Sequence, residues 1–312
     1  MRSRPDFDEL FERRIVYPDF KPQERLAALV GLQDHKRRLT KILALLVNSD
    51  GLDAWAKRYH PGADGVLKAV MARPSLVVLA GDVGSGKSAL AETIGDAVAR
   101  QENIHVTLFP LSLATRGEGR VGEMTQLLSA AFEYTIDEAN KLKGCGEGGS
   151  RGAVILLVAE ADALAQSREA AQMHHEDRAG VNAFIRGVDR LGNGKLPAAV
   201  IMCTNRPGAL DPAVRRRAAE ILSFTRPDAA RRREVLAPAL GQLGFSPNQI
   251  EAVFTATGSC EDGDYGFTYS DLTQRLLPAM VLDTYPEQRV DPDRALEIVR
   301  GMVATAPFQD GR

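Results

Sequence analysis

Residues 81–88 read GDVGSGKS. The string fits G-x-x-x-x-G-K-[ST], and its setting constrains the fold more than its letters do. Directly before it stands PSLVVLAG (74–81), a short Val- and Leu-rich run that ends in glycine and reads as a fully buried, parallel-type strand. A helix follows from Lys87. Glycines 81, 84 and 86 let the backbone curl so that its N–H groups face inward, and they admit a phosphate without a Cβ clash. The helix N-terminus adds partial positive charge. Lys87 suits the β- and γ-phosphates, and Ser88 offers a hydroxyl to magnesium. The candidate nucleotide-binding segment is therefore Gly81, Asp82, Val83, Gly84, Ser85, Gly86, Lys87, Ser88 and Ala89, with Ser88 the candidate metal ligand. A chance glycine turn is the bland alternative, and the flanking strand and helix argue against it. With no N/T-K-x-D run for guanine, the expected nucleotide is ATP with Mg2+.

Further apolar runs extend the pattern. IHVTLF (104–109), VILLVA (154–159), AAVIMCTN (198–205) and AEILSF (219–224) read as strands, and residues 87 onward, 122–143 and 180–191 as helices. Strands alternating with helices predict an α/β fold, a doubly wound parallel five-stranded sheet. After Pro227 the strands stop and four helical patterns remain, with Asp228, Ser246, Ser270 and Asp291 as expected N-caps. The expected division is an N-terminal segment (1–25), a large α/β domain (26–226) and a small helical domain (227–312). In the first segment Phe7, Leu10 and Phe11 recur at helical spacing, which suits either a short amphipathic helix packed on the body or a docking segment.

Composition narrows the partners. The formal net charge of −2 lacks the basic excess of a phosphate-gripping nucleic-acid binder, although Arg215–Arg217 and Arg231–Arg233 form local clusters. Three scattered cysteines (145, 203 and 260) give neither a disulfide framework nor a zinc cluster. No apolar run approaches the ~20 residues needed to span a bilayer, and the N-terminus lacks a signal-peptide h-region. The expectation is a cytoplasmic protein with reduced thiols, no membrane association and no nucleic-acid partner.

Glu160 ends the third strand, where a carboxylate can orient and deprotonate water. Asn205 ends the fourth and can hold the same water, or simply form an Asx turn. Arg215, Arg216 and Arg217 close a short helix that begins near Asp211–Pro212. Such arginines either reach a neighbouring subunit's nucleotide or satisfy a helix dipole. The adjacent His174 and His175 lack an obvious third ligand and read as a polar loop feature.

Together these motifs resemble the AAA+ ATPase family. GDVGSGKS resembles its Walker A motif, VILLVAEAD its Walker B, TNRPGALDPAVRRR its sensor-1 strand and second region of homology, and FTRPDAARRREVL with GFTYSDL its helical lid. Val30, Gly31 and Leu32 look like its adenine-side motif. The resemblance implies a homo-oligomeric ring, usually a hexamer, with ATP at subunit interfaces and a protein substrate threaded through the pore. The spacing of DPAVRRRAAEI and the short lid look most like the HORMA-remodelling members, including those of bacterial CBASS anti-phage operons. By the same carry-over Arg217 is the first choice of arginine finger and Arg216 the second.

Four departures stand out. Ala159 replaces the aspartate that in the family reaches magnesium through water, and Asp162 lies past the strand end. The matching pore stretch GEGRVGEM (117–124) has Arg120-Val121 in place of an aromatic. Ser270 stands where an arginine opens the sensor-2 helix, with Arg275 one turn on. The N-terminal segment is too short for a folded substrate-recognition domain. Three functions stay open: an ATP-driven protein remodeller, a nucleotide-binding scaffold that scarcely hydrolyses, and an AAA+ protein acting on DNA.

Overall fold

The computed structural model describes residues 7–48, 50–113, 123–144, 150–165, 175–193, 196–259 and 265–308. The chain forms two compact units, and they do not follow one cut in the sequence. The first comprises Met1–Ala28, Asp34–Ala80 and Ser88–Ser223, the second Leu29–Gln33, Gly81–Lys87 and Phe224–Arg312. The glycine loop thus clusters with the C-terminal helices.

The first unit is built on strands β1 (Ile15–Tyr17), β2 (Leu76–Gly81), β3 (His105–Ser112), β4 (Gly152–Ala159), β5 (Ala198–Thr204) and β6 (Ala218–Phe224), in the order β1-β3-β4-β5-β2-β6. The central pairs β3–β4, β4–β5 and β5–β2 are parallel. Every residue of β2 and β5 is buried, and all of β4 but its tip. That explains their unbroken apolar runs, because helices cover both faces of such a sheet. The helices are α1 (Phe7–Leu10), α2 (Phe20–Ala28), α3 (Gln33–Val47), α4 (Asp50–Tyr59), α5 (Asp64–Met71), α6 (Lys87–Glu102), α7 (Glu123–Leu142), α8 (Asp162–Ala165), α9 (His175–Asn193) and α10 (Pro212–Arg216). No described helix is long and apolar enough to cross a membrane. Cys203 is buried and not in a disulfide, whereas Cys145 and Cys260 lie outside the described residues.

Among the described residues the sheet has six strands, not the expected five. The additional one, β1, comes from the N-terminal stretch and pairs antiparallel with β3, Ile15 opposite Leu108 and Tyr17 opposite Val106. Three residues are too few to show a period. Its anchoring comes from its neighbours in the chain. Tyr17 is fully buried, and its hydroxyl donates to the Glu92 carbonyl on α6; burial first, then Glu92, pushes its pKa well up. Phe7 and Phe11 join Phe109 and Tyr134 in an aromatic cluster with ring centroids 5.1–5.7 Å apart. The Arg14 guanidinium lies 5.1 Å from the Phe7 centroid and donates to the Tyr134 hydroxyl. Leu10, Phe11 and Tyr17 are therefore part of the core, with Phe7 packed against it.

The second unit carries α11 (Ala229–Gln242), α12 (Pro247–Ala256), α13 (Leu277–Thr284) and α14 (Pro292–Gly301). The Asp228 and Asp291 side chains accept the N–H of Arg231 and of Asp293, as expected of N-caps. Gln249 reaches back to the Ser246 N–H. Ser270, however, is no cap: it already has helical φ and ψ. Thr268 takes the role. Its hydroxyl accepts the Asp271 N–H (3.1 Å), and Asp271 accepts the Thr268 N–H (3.0 Å), a reciprocal capping box. Residues Asp271–Leu276 then form a π-helical turn before α13. Pro278, which has no N–H and crowds the preceding turn, accounts for the widening.

Phe11→Ala should lower unfolding stability by about 3–5 kcal/mol, the cost of emptying an aromatic core site. Denaturant titration followed by circular dichroism measures it; an unchanged midpoint would show the N-terminal stretch to be a loose appendage.

Candidate phosphate site and strand-tip carboxylates

The glycine loop, in the second unit, is shaped by close backbone approaches. At Gly81 (φ 152°) a Cβ would lie 1.9 Å from the Phe224 carbonyl oxygen, which also accepts the Asp82 N–H at 3.1 Å. At Gly84 (φ 69°) a Cβ would lie 2.6 Å from Thr268 Oγ1, and the Gly84 carbonyl accepts the Ser270 N–H at 3.0 Å. Neither position admits a side chain. Ser85 is buried, its hydroxyl donating to the Asp82 carbonyl, and Lys87 is only 5% exposed. The Lys87 ammonium donates to the carbonyls of Gly81 (3.0 Å) and Asp82 (2.6 Å). A buried cation thus sits at the first turn of α6, beside N–H groups that have no partner within the helix. This arrangement suits the oxygens of a triphosphate. Ser88 is exposed in that first turn, and Ala89 is half-buried beside it.

Val30, Gly31 and Leu32 form the turn between α2 and α3, with Gly31 at φ 77°. The Tyr269 ring packs on Gly31, and the Tyr269 hydroxyl donates to the Gly31 carbonyl at 3.4 Å. Burial raises the pKa of that hydroxyl. Leu32 is buried against Gly86. The segment that resembles the adenine-side motif thus belongs to the same compact unit as the glycine loop.

The first unit carries the strand-tip groups. Glu160, just past β4, is exposed and holds φ at 52°, in the left-handed region that non-glycine residues seldom occupy. Such strain costs about 1–3 kcal/mol and gathers at functional positions. The turn is pinned by the Ala161 N–H on the Cys203 carbonyl (2.9 Å). Asp162 is engaged with the neighbouring strand tip. Its Oδ1 accepts from the Thr204 hydroxyl (2.8 Å) and the Asn205 N–H (2.7 Å), its Oδ2 from Asn205 Nδ2 (3.1 Å). Asp162 therefore orients Asn205 and does not substitute for the carboxylate missing at Ala159. Sequence reasoning discounted it as a metal ligand but missed this second role, which the register of two adjacent strand ends creates. Among the described residues no group of three or more His, Cys, Asp and Glu side chains converges as a metal site. A magnesium ion here would rest on Ser88 and on the nucleotide's own phosphates.

Arg217 is committed within its own chain. Its Nε donates to Asp189 Oδ1 at 2.6 Å and its NH1 to the Ala213 carbonyl at 3.2 Å, leaving the side chain 23% exposed. Arg216, one residue earlier, is exposed. Arg275 donates to Asp271 Oδ1 (2.5 Å). Residues 117–122, with Arg120 and Val121, and His174 lie outside the described residues, and His175 opens α9.

Residues 77–226 match the profile of the ATPase family associated with various cellular activities (AAA). The chain is 63% identical over 310 residues to CD-NTase-associated protein 6 of Escherichia coli (strain MS 115-1), covering 99% of both chains. It superposes on a chain of the E. coli MS115-1 HORMA:CdnC:Trip13 complex with a TM-score of 0.90 at 62% identity, covering 98% of this chain and 100% of that one. A second match, Rhizobiales Trip13, gives 0.74 at 57% identity, covering 96% and 100%.

Asp271 supplies a pH test of the second unit. Its carboxyl is fully buried, which alone would raise its pKa; donors from Thr305, Thr268 and Arg275 outweigh burial and lower it from 3.8 to about 2. A carboxyl depressed on folding stabilises the protein above the unfolded value and loses that contribution as pH falls through the folded one. Unfolding stability should drop between pH 3.8 and about 2. Asp271→Asn should be less stable at neutral pH and flatter across that window in denaturant titrations.

Proposed function

The chain belongs to the AAA family of ATPases, and we propose that it is an ATP-driven remodeller of a HORMA-domain protein in CBASS-type anti-phage signalling. End-to-end likeness to CD-NTase-associated protein 6 and to a chain of the HORMA:CdnC:Trip13 complex carries this reading. The formal net charge of −2 shows no basic surplus that would favour the DNA-acting alternative.

In this reading residues 26–226 and 227–312 work as large domain and lid. Val30, Gly31 and Leu32 meet the adenine. The N–H groups of residues 81–89 and the Lys87 ammonium hold the phosphates, Lys87 exchanging loop carbonyls for phosphate oxygens, a stronger charge-assisted partner. Ser88 would ligate magnesium, which would supply charge neutralisation at the phosphates. Glu160 orients and deprotonates water, and Asn205, held by Asp162, fixes that water's position. Arg216 is the stronger candidate for the finger offered to a neighbouring subunit's ATP, because Arg217 is paired with Asp189. Release of Arg217 from Asp189 on assembly would reverse that order. The oligomer is a ring, a hexamer in the resemblance, through whose pore the substrate is drawn. Ala159 would withhold one outer-shell magnesium contact, which by analogy with measured outer-shell losses would cost about 10–100-fold in metal affinity and slow turnover accordingly.

Purified protein should hydrolyse ATP in a magnesium-dependent manner, faster with its HORMA partner present. Glu160→Gln should reduce turnover by about 10²–10⁴-fold while retaining ATP binding, and Ala159→Asp should raise it and lower the magnesium requirement. A wild-type rate equal to that of Glu160→Gln would leave the scaffold reading in place of the remodeller.

A further inference from the structure

Two points of the glycine loop are held by one closed circuit of polar contacts, and all of it lies within the second unit. It starts at Asp82, the second residue of the loop. One carboxylate oxygen of Asp82 accepts the Val83 N–H (2.8 Å); the other accepts Arg226 Nε (2.5 Å). The two side chains are 17% and 14% exposed, so this is a largely desolvated pair. The remaining guanidinium nitrogens point elsewhere. Arg226 NH1 donates to the Gly266 carbonyl (2.7 Å) and NH2 to the Thr305 carbonyl (2.6 Å). Thr305 lies four residues past the end of α14. Its own N–H and hydroxyl both donate to buried Asp271, at 3.0 and 2.6 Å. Asp271 in turn accepts from the N–H and the hydroxyl of Thr268, and two residues further on the Ser270 N–H returns to the loop at the Gly84 carbonyl.

We infer that Arg226 is a positioning residue for the nucleotide's phosphates, and that Thr305 makes the C-terminal segment part of the support of the glycine loop. The inference rests on the nucleotide-binding reading of residues 81–89.

Two physical effects point the same way. The first is shape. A phosphate cradle needs its N–H groups fixed before the ligand arrives, and the circuit grips the loop on both sides of Val83. Only a rigid fork reaches three acceptors in three directions, so lysine cannot replace this arginine in full. The second is charge. Asp82 places a carboxylate in the loop that receives a highly charged anion. Paired with Arg226 it is neutralised; without Arg226 it is a desolvated anion that repels the ligand.

The charge effect makes the test specific. Affinity for N-methylanthraniloyl-ATP is measured by fluorescence in the Glu160→Gln background, with melting temperatures recorded in parallel. Arg226→Ala should weaken binding by about tenfold or more. Adding Asp82→Asn should recover a large part of that loss, since it removes the stranded charge. A role in stability alone would lower the melting temperature and leave affinity unchanged, and the second substitution would rescue nothing; that result overturns the inference. Should Arg226→Ala fail to fold, Arg226→Lys and Thr305→Val carry the test, with weaker binding expected from each; wild-type affinity in both would overturn it. Lys87→Ala separates the two levels. Loss of binding in Lys87→Ala with normal binding in the Arg226 variants would refute the circuit alone. No binding by the Glu160→Gln protein itself refutes the nucleotide site and this inference with it.

Discussion

Much of the second unit depends on a single backbone approach: the Phe224 carbonyl occupies the space where a side chain on residue 81 would begin. The contact obliges residue 81 to be glycine and turns the chain at the end of β2. The same oxygen receives the Asp82 N–H, so the first peptide of the loop is fixed by the end of β6. Two residues beyond Phe224 stands Arg226, which the strand end thereby delivers to Asp82. The curl of the loop, the burial of Lys87 and the placement of its charged neighbours result from two strand ends meeting. They do not require the loop's own conformational preference, which for so glycine-rich a segment is weak.

The sequence was most legible where one residue type has one physical use. Unbroken apolar runs announced β2, β4 and β5 because a strand covered on both faces has no polar positions to confuse the pattern. The glycine loop was legible because positive φ excludes other side chains. Legibility failed in two situations. Strand β1 is three residues long, and what holds it is Tyr17 beneath α6 and an aromatic cluster assembled from residues 7, 11, 109 and 134, a contact map that no local window contains. The cap of the Asp271–Leu276 turn differs from the expected one for a related reason: both Thr268 and Ser270 suit the role by type, and only the reciprocal bonds with Asp271 decide between them.

Charged side chains show the same limit in the candidate site. Residue type nominates Arg217 for work on a nucleotide, whereas Arg275 and Asp162 are, by their positions, poor substitutes for missing groups. Each is occupied inside the chain, by Asp189, by Asp271 and by the Thr204–Asn205 strand end respectively. An acid or a guanidinium in a motif is a candidate only until its intramolecular partner is known. Glu160 illustrates the converse. Nothing in its letters foretells the left-handed backbone it adopts just past β4.

The rim of the sheet has a bearing on how copies of this chain can meet. Beyond β3 the hydrogen-bonding row is closed by β1, which offers only three residues of its own. At the opposite end, α3 lies along β6, where His35 contacts the Ser223 carbonyl and Arg38 pairs with Glu220. An outer strand this short, or this well guarded, is a poor template for strand addition. Neighbouring molecules are thereby steered away from joining their sheets into a continuous ribbon, and any contact between copies would rest on side chains and loops.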